Sequence, residues 1–483
     1  MPDTAEVQYA RPVLHLPLLR AGTPYRSRDV VVLSDVRTGA PVAEVSQANR
    51  GLIARDLAAS PRARAALRER SLAELLAICS RAARLFAEAE LPVDGTRQTP
   101  EQFVAAQSAT TGMPRALCRA NMVKVRTVLE EMEQVLAGLT RGLDARALDA
   151  GWATEDGRPV SFRCEADVLG AVLPSNSPGV HSLWLPAIAL KVPLALRPGR
   201  EEPWTPLRIA HALIAAGCPP QALGYYPSDY GGASEILLRC SRSMFFGDAS
   251  TVRGWLDDPR VQIHGPGWSK VLFGRDAAER WHGHLDLLVG SVADNGGRSC
   301  LNASGVWTPA HGREIAAALA ERLAAVGARP LDDPAAALCA FPRAAQARRV
   351  SEFIDRQLSI PGAEDLTAAH RPGRVAECDG CTFLLPTVIW CEDPAHPLAQ
   401  CEFLFPFVSV VEAPAPEIAA RIGPTLVATV LGDDAELRRA VLDARHVDRV
   451  NLGAWPTSRV AWDQPHEGNL FEHLYRRRAL QTD

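Results

Sequence analysis

Ala166-Asp167-Val168-Leu169-Gly170-Ala171-Val172-Leu173 is an apolar run of strand length that stops at Pro174. Val180 to Ala189 then carries helical spacing, Pro193 to Leu196 is a second short strand, and Thr205 to Ala216 a second helix. That helix ends at Gly217 with Pro219-Pro220 beyond, a normal stop signal. Strand alternating with helix means parallel β-structure covered by helices, a doubly wound α/β architecture. A second series follows Lys270: strand Lys270 to Gly274, helix Ala277 to Ala293, a turn and strand beginning at residue 300, and helix His311 to Val326. Upstream, residues 53–90 and 101–141 have helical periodicity, broken at Thr110-Thr111-Gly112-Met113-Pro114. Asp156-Gly157 marks a turn between hairpin strands within Trp152 to Cys164.

A chain of 483 residues exceeds what one hydrophobic core usually covers, so more than one domain is expected. Hydrophobic residues make up 47% and charged residues 22%, which excludes large-scale disorder. A net charge of −4 excludes nucleic acid or an acidic membrane as the main partner. Met1 to Ala10 carries Asp3 and Glu6 rather than a secretory leader, and the most apolar segment, Leu183 to Leu196, is broken by Pro186, Lys191 and Pro193. The reading is a cytoplasmic protein without a membrane span.

The chemistry centres on Asn295-Gly296-Gly297-Arg298-Ser299-Cys300. Two glycines permit a tight turn and a close approach, and Arg298, two residues before the sulfur, favours the thiolate, which is the nucleophile. On these residues alone, a reactive and a structural cysteine are equally open. The eleven cysteines are odd in number and scattered from Cys79 to Cys401, unlike a secreted disulfide framework. Cys378-Asp379-Gly380-Cys381, with Cys391 and Cys401, raises the question of zinc, but the later pair lacks ribbon spacing, and no metal is expected.

Residues 295–300 resemble the N-x-G-Q-x-C nucleophile motif of the aldehyde dehydrogenase superfamily, with Arg298 in place of Gln. Pro174-Ser175-Asn176-Ser177-Pro178 is similar to its P-W-N-x-P segment, Leu196 to Arg200 with Thr205-Pro206 to its L-K-P-S-E segment, and Phe245-Phe246-Gly247-Asp248 to its F-T-G-S turn. Pro386-Thr387-Val388, Glu402 to Pro406 and Asn451 follow in the family's order. The resemblance implies two doubly wound parallel-sheet domains with a small oligomerisation arm, and a homodimer or homotetramer. Residues 1–269 would hold the N-terminal helices and the dinucleotide-binding domain, with 150–165 in the arm. Residues 270–455 would form the catalytic domain and 456–483 the tail of the arm, although Asp463 to Asn469 departs from the family's glycine-rich ending.

The resemblance also implies roles: Cys300 as nucleophile, the Asn176 amide and the Cys300 N–H on the oxyanion, and Ser175, Arg197, Gly199, Arg200, Phe246, Gly247, Gly265 and Glu402 around the cofactor. Gly199-Arg200 stands where the family carries a ribose-binding Glu, which favours NADPH, with NAD as the other option. Hydrolytic members carry a Glu in an E-L-G-G segment to activate water. Here Ile263-His264-Gly265-Pro266-Gly267-Trp268-Ser269-Lys270 has no carboxylate, which leaves His264 as a candidate base. The segment resembles acylating members, and the chain is similar to the fatty-acyl reductase of bacterial luminescence. The expected reaction is reduction of an acyl thioester such as an acyl-CoA to the aldehyde. Hydrolytic oxidation of an aldehyde is the alternative, and a silent subunit kept for assembly the third reading.

Overall fold

The computed structural model describes residues 13–145, 147–465 and 467–482. The opening ten residues, read for a leader, lie outside them. Two seven-stranded sheets organise the chain. In the first, Val261–His264, Arg242–Phe246, Leu169–Val172, Leu194–Arg197 and Leu223–Tyr225 run parallel in that spatial order. Leu18–Arg20 and Thr23–Tyr25 close one edge antiparallel. The strands are short and apolar because both faces are covered. Leu169, Ala171 and Leu196 belong to the cluster that holds Trp184, Ile188 and Leu207, while Val168 and Ala195 belong to a second with Ile236.

The chain leaves this sheet at His264 and enters the second at Ser269. There Thr387–Cys391, Phe407–Glu412, Ala303–Thr308, Ser269–Phe273, Thr425–Leu431 and Val447–Leu452 are parallel, with Ala363–Asp365 antiparallel at one edge. Leu272, Trp307 and Val411 pack in one apolar cluster, and Val271, Val306 and Val410 in another, which is the alternation expected of strands buried on both faces. The fold is two doubly wound α/β units.

Two predicted helices are interrupted. Pro186 lacks an amide proton, so 178–189 forms a 3₁₀ turn at Pro178–Val180 and two single-turn helices, His181–Trp184 and Pro186–Ala189. The stretch 277–293 divides into Arg275–Ala278, a 3₁₀ turn at Trp281–His284 that contains Gly283, and Leu285–Ala293. The predicted hairpin is Trp152–Glu155 with Arg158–Cys164. Tyr475–Arg478 adds to it antiparallel, so the tail folds back onto 158–164 as a third strand. Among the described residues, no helix is long and apolar enough to cross a membrane.

Candidate active site

Cys300 follows a turn in which Asn295, Gly296 and Gly297 all have φ between +51° and +69°. A Cβ on Gly296 would sit 2.7 Å from the Cys339 sulfur, and one on Gly297 2.4 Å from the Phe405 carbonyl carbon and the Pro406 nitrogen. The glycines are thus required by the close approach of other chain segments, rather than of a ligand. Asn302 pins the far side of the turn, accepting from Ser299 N at 2.8 Å and donating to Asp294 O at 2.9 Å. Ser269 Oγ donates to Cys300 O at 2.9 Å, which ties the loop to the first strand of the second sheet.

The Cys300 thiol donates to Glu467 Oε1 at 2.8 Å. The other carboxylate oxygen, Oε2, accepts from His264 Nδ1 at 2.8 Å. The His264 ring stacks on Phe246, with centroids 4.3 Å apart and planes 12° from parallel, so its direction is fixed. Gln262 Nε2 holds the Glu467 carbonyl at 3.2 Å. Burial holds the Cys300 thiol well above its ordinary range, and the charges of Glu467 and Glu402 push it further up. A thiol raised in this way needs a base beside it, and a carboxylate is in contact.

Arg298 does not serve the sulfur. Its guanidinium is buried, donates to Thr111 O at 2.9 Å and to Ala340 O, and lies 5.8 Å from the Phe341 ring centroid. It fastens the Cys300 loop to two other segments, because an isolated guanidinium in the interior must find carbonyl acceptors. This corrects the expectation that it activates the thiolate. Asn176 Nδ2 donates to Arg298 O at 2.9 Å, which brings the Asn176 loop against the Cys300 loop. A primary amide has two protons, so one remains for a developing oxyanion.

The residues expected around a cofactor gather at the carboxyl ends of the first sheet. Leu169–Val172 is flanked by Leu194–Arg197 on one side and Arg242–Phe246 on the other, so strand order reverses between the loops at 174–178 and 247–248. Such a switch point opens a crevice. Gly199 is pressed against the other loop: a Cβ there would lie 2.4 Å from Pro174 O and Ser175 Oγ. Ser175 Oγ accepts from Glu201 N at 3.1 Å. Gly247 N donates to His264 O at 3.1 Å, and Gly265 has open space beside it. Arg200 is exposed, whereas Arg197 spends Nε and Nη2 on Ser228 O at 3.2 and 2.9 Å. Arg200 is therefore the more accessible of the pair to an anion. Glu402, expected on a ribose, accepts from Gly267 N at 3.2 Å and from Trp268 N. Burial raises its carboxyl to about 7.

Two residues were missed from sequence. Glu467 lies in the tail segment that departs from expectation, 203 positions from His264, and only the fold brings them together. Lys270 was read only as a strand residue. It is buried beneath the 265–268 turn, donates to Trp268 O at 2.7 Å and Thr425 Oγ1 at 3.2 Å, and burial lowers its ammonium to about 7. Among the described residues, no group of three or more His, Cys, Asp or Glu is placed to hold a metal ion.

Comparisons with known proteins bear on the family and the fold. Residues 24–469 match the model of the aldehyde dehydrogenase family. Geranial dehydrogenase of Castellaniella defragrans is 25% identical over 307 residues, spanning 59% of this chain and 61% of that protein, under two thirds of its length. Among solved structures, indole-3-acetaldehyde dehydrogenase AldA of Pseudomonas syringae, in complex with NAD+ and IAA, superposes with a TM-score of 0.77 at 17% identity, covering 96% of both chains. Aldehyde dehydrogenase C of Pseudomonas syringae, in complex with NAD+ and octanal, gives 0.75 at 20% identity over 96% of both chains. At these identities the solved structures speak for the fold.

Proposed function

The chain belongs to the aldehyde dehydrogenase family, and from that premise we propose that it oxidises an aldehyde to its carboxylic acid, with NAD(P)+ as hydride acceptor and water as acyl acceptor. One observation carries the reading: the Glu467 carboxylate touches the Cys300 thiol at 2.8 Å. The preference for acyl-thioester reduction rested on the lack of a carboxylate in residues 263–270. Glu467 makes good that lack from the tail, so hydrolytic oxidation becomes the better reading.

Glu467 Oε1 takes the thiol proton, and the Cys300 thiolate attacks the aldehyde carbon. The oxygen becomes an oxyanion held by the second Asn176 amide proton and the Cys300 N–H. The switch point, with open space at Gly265, suits a dinucleotide, and Ser175, Phe246, Gly247 and Arg200 would hold it. A bound nicotinamide supplies the hydride acceptor, which leaves a thioester on Cys300. After Glu467 has passed its proton to solvent, it removes one from water. The hydroxide attacks the thioester carbonyl, the acid departs and the thiol reforms. Throughout, His264 orients the base: its Nδ1–H occupies Oε2 and leaves Oε1 facing the sulfur. Exposed Arg200 favours NADP+ over NAD+.

Aldehyde and oxidised cofactor, mixed without any thiol, should give steady turnover and free acid. A burst of one equivalent per site, followed by slow turnover that CoA accelerates, would overturn this reading and restore acyl transfer to a thiol.

A further inference from the structure

Cys378 and Cys381 stand directly opposite each other across a two-residue turn, Val375–Cys378 pairing with Cys381–Leu384. Asp379 and Gly380 have φ of +48° and +74°, the geometry of a tight hairpin turn. Opposed residues of an antiparallel pair have Cα atoms about 4.5–5.5 Å apart, inside the roughly 4.4–6.8 Å that a disulfide bridges. Both are free thiols, and both side chains lie on one face, against an apolar cluster with Leu338, Ala340 and Phe383. Cys378 is half-buried, while Cys381 is buried and its thiol pushed up to about 11 by that burial. Cys378 is thus the sulfur that a soluble oxidant meets first.

The hairpin is coupled to the Cys300 loop by two hydrogen bonds in series. Thr382, next to Cys381, accepts through its carbonyl from Phe341 N at 2.9 Å, and the neighbouring Ala340 carbonyl receives the Arg298 guanidinium. Arg298 is two residues from Cys300. The turn itself is seated on another segment: Asp379 pairs with Arg37 at 3.2 Å, and a Cβ on Gly380 would lie 2.8 Å from Arg37 O. We propose that Cys378 and Cys381 are a reversible dithiol–disulfide site, oxidised by a small disulfide such as oxidised glutathione, and that oxidation loosens the support of the Cys300 loop. The Cys378 thiolate attacks the glutathione disulfide and releases one glutathione. Cys381, giving up its proton, then displaces the second from Cys378. Two thiols and one disulfide thus become one protein disulfide and two glutathione molecules. The new bond draws Cys381 away from its packing on Leu338 and Ala340, which weakens the anchor of Arg298.

The bond is mapped in full-length Cys300→Ser protein equilibrated with reduced and oxidised glutathione, where peptide mass analysis should show Cys378 joined to Cys381 and dithiothreitol should reverse it. That arm needs no activity, so its outcome is independent of the proposed reaction. The coupling, which rests on Cys300 as nucleophile, is read in otherwise wild-type protein: oxidised glutathione should lower kcat several-fold and reversibly, and Cys378→Ser should resist while keeping the basal rate. Absence of the 378–381 bond at every glutathione ratio would overturn the site. A bond without change in kcat, or equal inhibition of Cys378→Ser, would overturn the coupling.

Discussion

Glu467 Oε1 lies 2.8 Å from the sulfur of Cys300, although 167 positions separate the two residues. The carboxylate comes from the segment that precedes the helix Leu470–Leu474, and Gln262 and His264 on the strand Val261–His264 hold it in place. Under the proposed function the base is thus delivered by the tail, and the His264 imidazole orients it.

Glu467→Gln keeps the shape and removes the base. Turnover should fall by about 10²–10⁴-fold, the usual range for a general base. The same substitution should make the thiol more acidic, because the Glu467 charge holds its pKa up. Alkylation of Cys300 against pH, measured with iodoacetamide, should shift to lower pH in the variant as turnover collapses. A loss of turnover with no shift in the alkylation profile would take Glu467 out of contact with the thiol.

Cys300→Ala should abolish aldehyde-dependent reduction of the cofactor while leaving the unfolding midpoint close to that of the parent. Asn176→Ala separates oxyanion stabilisation from covalent capacity. The thiol should still alkylate, and kcat should fall by a transition-state loss of roughly 2.7–4 kcal/mol. Asn176 also caps Arg298 O at 2.9 Å. A rise in KM alone would reduce its role to that contact.

Much of the fold was legible because its signals are local. Apolar runs such as 169–172 and 194–197 need only a period and a stop, and Asp156-Gly157 needs only a turn. The turn before Cys300 was legible for the same reason, since the glycines and the cysteine are adjacent. What sequence missed depends on distant segments meeting. Nothing near Glu467 announces His264, and nothing near Arg298 announces the Thr111 and Ala340 carbonyls that turn its guanidinium from the sulfur. The single helix read across 180–189 failed for a local reason, the missing amide of Pro186, that periodicity outweighed.

Arg200→Glu should move preference from NADP+ toward NAD+. Arg197 places Nε and Nη2 on the Ser228 carbonyl, so the exposed Arg200 guanidinium is the one proposed to meet a 2′-phosphate. Reversing its charge replaces attraction by repulsion. The ratio of kcat/KM for the two cofactors should change by about tenfold or more, the 1.4 kcal/mol scale of a single charge-assisted contact. An unchanged ratio would place Arg200 in solvent, away from the cofactor.

Lys270 and Glu402 give the folded protein opposite pH dependences that meet near neutrality. Burial raises the Glu402 carboxyl to about 7, so the folded state holds its proton more tightly than the unfolded chain. The stability this contributes is full below the ordinary glutamate range and is lost as pH rises through about 7. Burial lowers the Lys270 ammonium to about 7, so above that pH the unfolded chain binds the additional proton. Stability from this group therefore rises with pH from about 7 toward the ordinary lysine range. Denaturant unfolding at a series of pH values should show a shallow dip near neutrality. Glu402→Gln should flatten its acid limb and Lys270→Met its alkaline limb. If Lys270→Met left the alkaline limb intact, the ammonium would have to remain charged in the folded state. Its bonds to Trp268 O and Thr425 Oγ1 would then be those of a fixed cation under the active-site turn.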